Sequence, residues 1–263
     1  MPAKTIAEEL KGVAEGVEKR FQQGRRVLSF SEYLDLFASN PERHSRDASR
    51  YLRDAFDHYG TTRVKLPWGE FTRWKLFDLP WEEPPLDGKG EPKGTLVGQE
   101  QVQEEIYRAL CNFVREGRPN RLILLHGPNG SAKSTIVACL MRALENYSMI
   151  DEGALYRYSW VFPSTKTTRG SLGFASGAGG AAVASYAHLP DDQIDAKLIV
   201  EVRDHPLFLI PVAERRAVLQ KLFKGRDEGP SDWITRGQLS HKSQQIFEAL
   251  LASYDGSYSE VLK

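Results

Sequence analysis

Cysteine is scarce: Cys111 and Cys139 are the only two in 263 residues. Two thiols in a chain of this size do not make a disulfide framework, and the expected setting is a reducing cytoplasm. An excess of charge of either sign is also missing, with Lys+Arg at 35 and Asp+Glu at 35. That balance excludes the global basic field which drives non-specific binding to nucleic acid or to anionic membranes. No apolar run approaches the ~18–20 residues of a membrane-spanning helix. The opening MPAKTIAEELKGVAEG carries no uninterrupted apolar core of a signal peptide. The six histidines show no i, i+3 or i+4 pairing and no cysteine partner at ligand spacing, so a zinc site is not expected. No internal repeat is present.

What is there is ordinary for a folded, water-soluble chain: 41% hydrophobic and 27% charged residues. From Thr5 to Tyr59, charge is dense and apolar residues such as Tyr33, Leu34 and Phe37, then Tyr51, Leu52, Ala55 and Phe56, recur at helical spacing. This predicts two or three amphipathic helices, broken at Asn40-Pro41, where Ser39 or Asn40 can cap the next helix. The stretch DLPWEEPPLDGKGEPKGT from Asp78 to Thr95 holds four prolines and three glycines and reads as a linker. Glu100 to Arg115 places Val102, Ile106, Ala109, Leu110, Phe113 and Val114 on one stripe and predicts a helix. RLILLH, residues 121–126, has the length and flanks of a strand buried on both faces. Lys133 to Tyr147 is helical again.

Further on, Leu155 to Phe162, Lys197 to Val202 and Leu207 to Ile210 read as strands, and Ala213 to Phe223 and Lys242 to Tyr254 as helices. Between them, Gly170 to His188 has five glycines, six alanines and three serines with no Asp, Glu, Lys or Arg. Such a segment buries little and loses much backbone entropy on ordering, so a mobile loop is expected. The five tryptophans, Trp68, Trp74, Trp81, Trp160 and Trp233, are scattered and read as packing anchors.

The chemistry lies at Gly127-Pro128-Asn129-Gly130-Ser131-Ala132-Lys133-Ser134, which matches the phosphate-binding pattern G-x-x-x-x-G-K-[ST] except at Ala132, where a second glycine is the rule. In such a loop successive backbone N–H groups point at a phosphate, and the following helix adds its positive end. Lys133 supplies a cation to the β- and γ-phosphates of ATP, and Ser134 presents a hydroxyl to Mg²⁺. Thr135 completes the binding segment. Ala132 reads as the first helical residue, sterically mild but able to weaken affinity. An acidic residue ending a second buried strand is the usual further requirement for hydrolysis. Glu201, after Leu198-Ile199-Val200, is the nearby candidate, and its short, charge-flanked run reads instead as a surface strand. His126, Lys166 and Arg169 carry plainer readings, as a strand terminus and solvated loop charges.

Val97-Gly98-Gln99-Glu100 with its helix, followed by RLILLHGPNGSAKST, resembles the start of an AAA+ module, in which the V-G segment lies against adenine. More narrowly, FSEYLDLFASNPERHSRDASRYLRDAFDHYG, VGQEQVQEEIYRALCNFVREG and HPLFLIPVAERRAVLQKLF resemble, in order, the AAA domain of the bacterial PrkA-type serine protein kinases. The resemblance implies an α/β fold of the P-loop NTPase, AAA+-like kind, a parallel sheet flanked by helices. With the residue patterns above, the chain is expected to divide into a helical N-terminal module over residues 1–77, a Pro/Gly-rich linker over 78–95 and a P-loop AAA+-like nucleotide-binding domain over 96–263, cut short at its C-terminus. The resemblance implies ATP and Mg²⁺ as cofactors, with Val97, Gly98, Gly127, Pro128, Asn129, Gly130, Ser131, Ala132, Lys133, Ser134 and Thr135 as contacts and Ser134 at the metal. It implies a protein serine as substrate and a homo-oligomeric assembly as a further partner. The acidic strand motif, the sensor residues and the kinase-like region would lie past Lys263, so a fragment is expected. Two rivals stand beside the kinase: an AAA+ ATPase or remodelling subunit, and an interaction module that binds nucleotide without turnover.

Overall fold

The computed structural model describes residues 27–67, 69–83, 92, 94–164 and 185–263, with Val13, Gly16 and Val17. The chain falls into two compact units: residues 1–36, 158–203 and 240–263 form one, and residues 37–157 and 204–239 the other.

The helices of the larger unit, and α1, Phe30–Ser39, whose residues 30–36 belong to the smaller one, have starts that are written locally. Helix α1 opens on a reciprocal cap in which the Ser29 N–H donates to Glu32 Oε2 at 2.6 Å and the Glu32 N–H to Ser29 Oγ at 3.3 Å. Asn40 then caps α2, Pro41–His44, accepting from the Arg43 N–H at 3.2 Å. Asp47 caps α3, Ala48–Tyr59, accepting from the Arg50 N–H at 2.9 Å. Gly60 ends α3 at φ 71°, where its N–H reaches Phe56 O.

An antiparallel hairpin follows, β1 Thr61–Leu66 with β2 Gly69–Trp74, in register from Thr61 opposite Trp74 to Leu66 opposite Gly69. A 3₁₀ turn, Lys75–Asp78, carries the chain toward α4, Glu100–Glu116, and then α5, Lys133–Ser148. Phe56, Trp74, Leu76, Phe77, Leu79, Leu96, Ile106, Leu110, Phe113, Ile136, Cys139 and Ala143 form one buried core in which α3, the hairpin end, α4 and α5 meet. The 3₁₀ turn Pro206–Leu209, α6 Val212–Leu222 and α7 Asp232–Arg236 complete this unit. Arg215 clamps them: fully buried, it donates to Leu207 O at 3.2 Å, Ile210 O at 3.3 Å and Gly237 O, over the Phe208 ring.

In the smaller unit β3, Trp160–Pro163, pairs antiparallel with β4, Ile194–Leu198, with an irregularity between Phe162 and Pro163. Helices α8, His241–Ser253, and α9, Tyr258–Val261, complete it. Lys263 O takes the Ser185 hydroxyl at 2.8 Å and the Tyr186 N–H at 2.5 Å.

The expected P-loop NTPase architecture is not what forms. Among the described residues the strands make only two two-stranded antiparallel sheets, with no parallel sheet between helix layers. The run at 121–126 shows why: it forms no strand and pairs with none, and Leu122 and Leu124 are 84% and 73% exposed. An apolar run becomes a buried strand only when neighbours take its N–H and C=O groups. The region before residue 77 is not wholly helical either, since it holds β1 and β2. Leu207–Ile210, expected as strand, is the 3₁₀ turn, because Pro206 sits at its first position and the His205 ring accepts the Leu207 N–H at 3.2 Å. The Gly/Ala-rich stretch lies outside the described residues up to residue 184, as do Lys166 and Arg169. No helix among the described residues is long and apolar enough to cross a membrane.

Candidate functional site

Two helices position the loop. On α4, Gln103, Ile106, Leu110 and Phe113 point into the core, and on α5 so do Ile136, Cys139, Ala143 and Tyr147, at the three- and four-residue steps of one helical face. With these faces buried, the start of α5 is fixed and the preceding residues must turn. They do so through positive φ at Gly127 (159°), Gly130 (80°) and Ala132 (61°). A Cβ at Gly127 would lie 2.8 Å from Ser131 Oγ, so a side chain there would have to displace that hydroxyl. Ala132 is not the first residue of the helix but its N-cap, in the left-handed region with ψ 14°, and the Ile136 N–H donates to its carbonyl at 2.9 Å. The Ser131 N–H donates to Pro128 O at 3.3 Å, closing the loop.

Lys133 bends back over this turn, its Nζ donating to Gly127 O at 2.8 Å, Pro128 O at 2.7 Å and Ser131 Oγ at 3.1 Å. Among the described residues no backbone acceptor takes the N–H groups of Gly130, Ala132, Lys133, Ser134 or Thr135. The first turn of α5 carries no acidic side chain, so nothing there offsets the positive end of a 16-residue helix. The arrangement can accept an anion, and the ammonium has only neutral oxygens to leave behind. Ser134 is exposed in the same turn. A hydroxyl beside bound phosphate oxygens is the hard-oxygen donor set that suits Mg²⁺. No group of three His, Cys, Asp or Glu is gathered elsewhere among the described residues.

Beside the loop lies a cleft of about 230 Å³ lined by Val102, Ile106, Leu125 and Ile136 on its apolar side, with Gln99, Glu105, His126, Ser131 and Lys133 as polar groups. Of the sequence-predicted residues it brings Ser131 and Lys133 together with the Gln99 end of the V-G-Q turn. Val97 and Gly98 do not line it. Val97 is exposed, and Gly98, at φ 79°, is held by Gln103, whose Nε2 donates to Gly98 O at 3.1 Å while its Oε1 accepts from the Trp74 N–H at 3.0 Å. Pro128, Asn129 and Gly130 form the exposed outer rim of the loop.

Comparison of the chain with models of protein families, with curated proteins and with solved structures gives no match.

Glu201 belongs to the other unit, exposed and 3.8 Å from Lys242. Reading the sequence missed Gln103 and Glu105. Gln103 was recoverable as the polar residue on the apolar stripe of α4. Glu105 was not, because an exposed helical glutamate looks like any solvated one.

Proposed function

We propose that the chain binds Mg-ATP through residues 127–134 and serves as the ATP-binding part of a PrkA-like serine protein kinase in the cytoplasm. The carrying observation is the loop itself: five N–H groups without backbone acceptors, an uncompensated helix start and a lysine held only by neutral oxygens. ATP supplies the transferable phosphoryl group and Mg²⁺ neutralises its charge. Lys133 swings from the Gly127 and Pro128 carbonyls to the phosphates, the N–H groups of Gly130 and of 132–135 hold the anion, and Ser134 takes the metal. The kinase assignment draws on the resemblance over the three stretches quoted above, and the cytoplasmic setting on the two free cysteines.

A titration with Mg-ATP tests the binding, and transfer of labelled phosphate to a protein serine tests the kinase; saturable binding with no transfer to serine would discard the kinase and keep the loop. A second reading, a nucleotide-dependent interaction module, is favoured by the exposure of Leu122 and Leu124 directly before the loop. It predicts binding without turnover.

A further inference from the structure

We propose that Glu105 is the residue that selects the nucleoside, its carboxylate accepting a hydrogen bond from a donor on the sugar or base. The inference rests on the reading of 127–134 as the phosphate site. Val102, Glu105 and Ile106 are three and four residues apart on α4 and so share one face, and all three line the cleft with Ser131 and Lys133. Glu105 is the one carboxylate of that lining. Gln101 Nε2 donates to its Oε1 at 2.9 Å, which holds the group in place, and no contact ties it to Lys133.

The cleft is thus cationic at the loop, apolar along Val102, Ile106, Leu125 and Ile136, and anionic at Glu105. At about 230 Å³ it is smaller than a site that swallows a whole drug-sized ligand. It takes only part of a nucleotide, while the triphosphate lies along the exposed loop. A carboxylate repels the phosphates, so it faces the nucleoside, where the available donors are ribose hydroxyls and an exocyclic amine. Either donor to a charged acceptor makes the stronger class of hydrogen bond.

The test measures the full chain and its Glu105→Ala and Glu105→Gln variants against Mg-ATP and Mg-tripolyphosphate, which has no nucleoside. Glu105→Ala weakens ATP about tenfold while tripolyphosphate binds no more weakly, and Glu105→Gln, which keeps an acceptor, loses less. 2′,3′-Dideoxy-ATP and inosine triphosphate distinguish the sugar donors from the base amine: the analogue lacking the donor binds wild type about tenfold more weakly and is insensitive to Glu105→Ala. Equal changes for ATP and tripolyphosphate, or no change for either, would overturn the role of Glu105 while the loop reading stands. Wild-type chain that binds neither ligand would overturn the loop reading and this inference together. Circular dichroism of each variant confirms folding, and Gln101→Ala, which frees the carboxylate without removing it, is expected to weaken ATP alone.

Discussion

Replacing Ala132 by glycine is expected to stabilise the chain slightly and to tighten nucleotide binding. Ala132 holds φ 61° and ψ 14°, which costs a residue with a Cβ about 1–2 kcal/mol. Glycine removes that penalty but adds conformational freedom to the unfolded chain, an opposing effect of about 0.4–1 kcal/mol. The half-buried methyl packs against the core of the larger unit, and its loss costs a further ~0.4 kcal/mol, half the value of a fully buried methylene. The net gain is about 0.5 kcal/mol, or ~1–2 °C in the unfolding midpoint. Ala132→Val amplifies the test with the opposite sign, since a β-branched side chain at this φ is an outlier, and a loss of ~2 kcal/mol is expected. Urea unfolding followed by tryptophan fluorescence reads both. Because the loop must release Lys133 before it takes phosphate, the glycine variant is also expected to bind Mg-ATP about twofold more tightly. A glycine variant less stable by more than ~1 kcal/mol, or a valine variant equal to wild type, would refute the backbone argument.

Arg215→Ala strips Leu207 O, Ile210 O and Gly237 O of their donor and opens a void, and is expected to cost at least ~3 kcal/mol in urea unfolding. Stability is also expected to fall between pH 7 and 5. Burial, with neighbouring arginines, holds the His44 and His205 imidazoles down at about 4. His205 Nδ1 accepts the Leu207 N–H while Nε2–H donates to His44 O at 2.8 Å, a neutral pattern that a second ring proton would break. The unfolded chain therefore binds more protons than the folded one between about 6.5 and 4, and stability is lost as pH falls through that window. Each imidazole lowers stability by about 2 kcal/mol by pH 5, and a flat profile between pH 7 and 5 would contradict the assignment.

Helices α4 and α5 were legible because each buries one face and so repeats its apolar residues every three or four positions. The turn before α5 was legible because Gly127-Pro128 and Gly130 are local breakers between an apolar run and a helical stripe. RLILLH was misread because composition reports that a segment prefers to be extended and buried, not whether another strand lies beside it. The hairpin at 61–74 carried a turn signal in Pro67 and Gly69, but its residues are largely exposed and lack the apolar alternation that marks a strand. Ala132 was taken for the first helical residue, because a single alanine does not declare its φ.

Isothermal titration of the full chain with Mg-ATP beside Lys133→Ala, at one ionic strength, tests the central claim most directly. Lys133 Nζ donates to the carbonyls of Gly127 and Pro128 and to the Ser131 hydroxyl, all within the loop itself, so its removal is expected to leave the fold intact. The account predicts saturable binding by wild type and at least ~30-fold weaker binding by the variant, the loss of a charge-assisted contact to phosphate. Equal binding by both, or none by a folded wild-type chain, would contradict it.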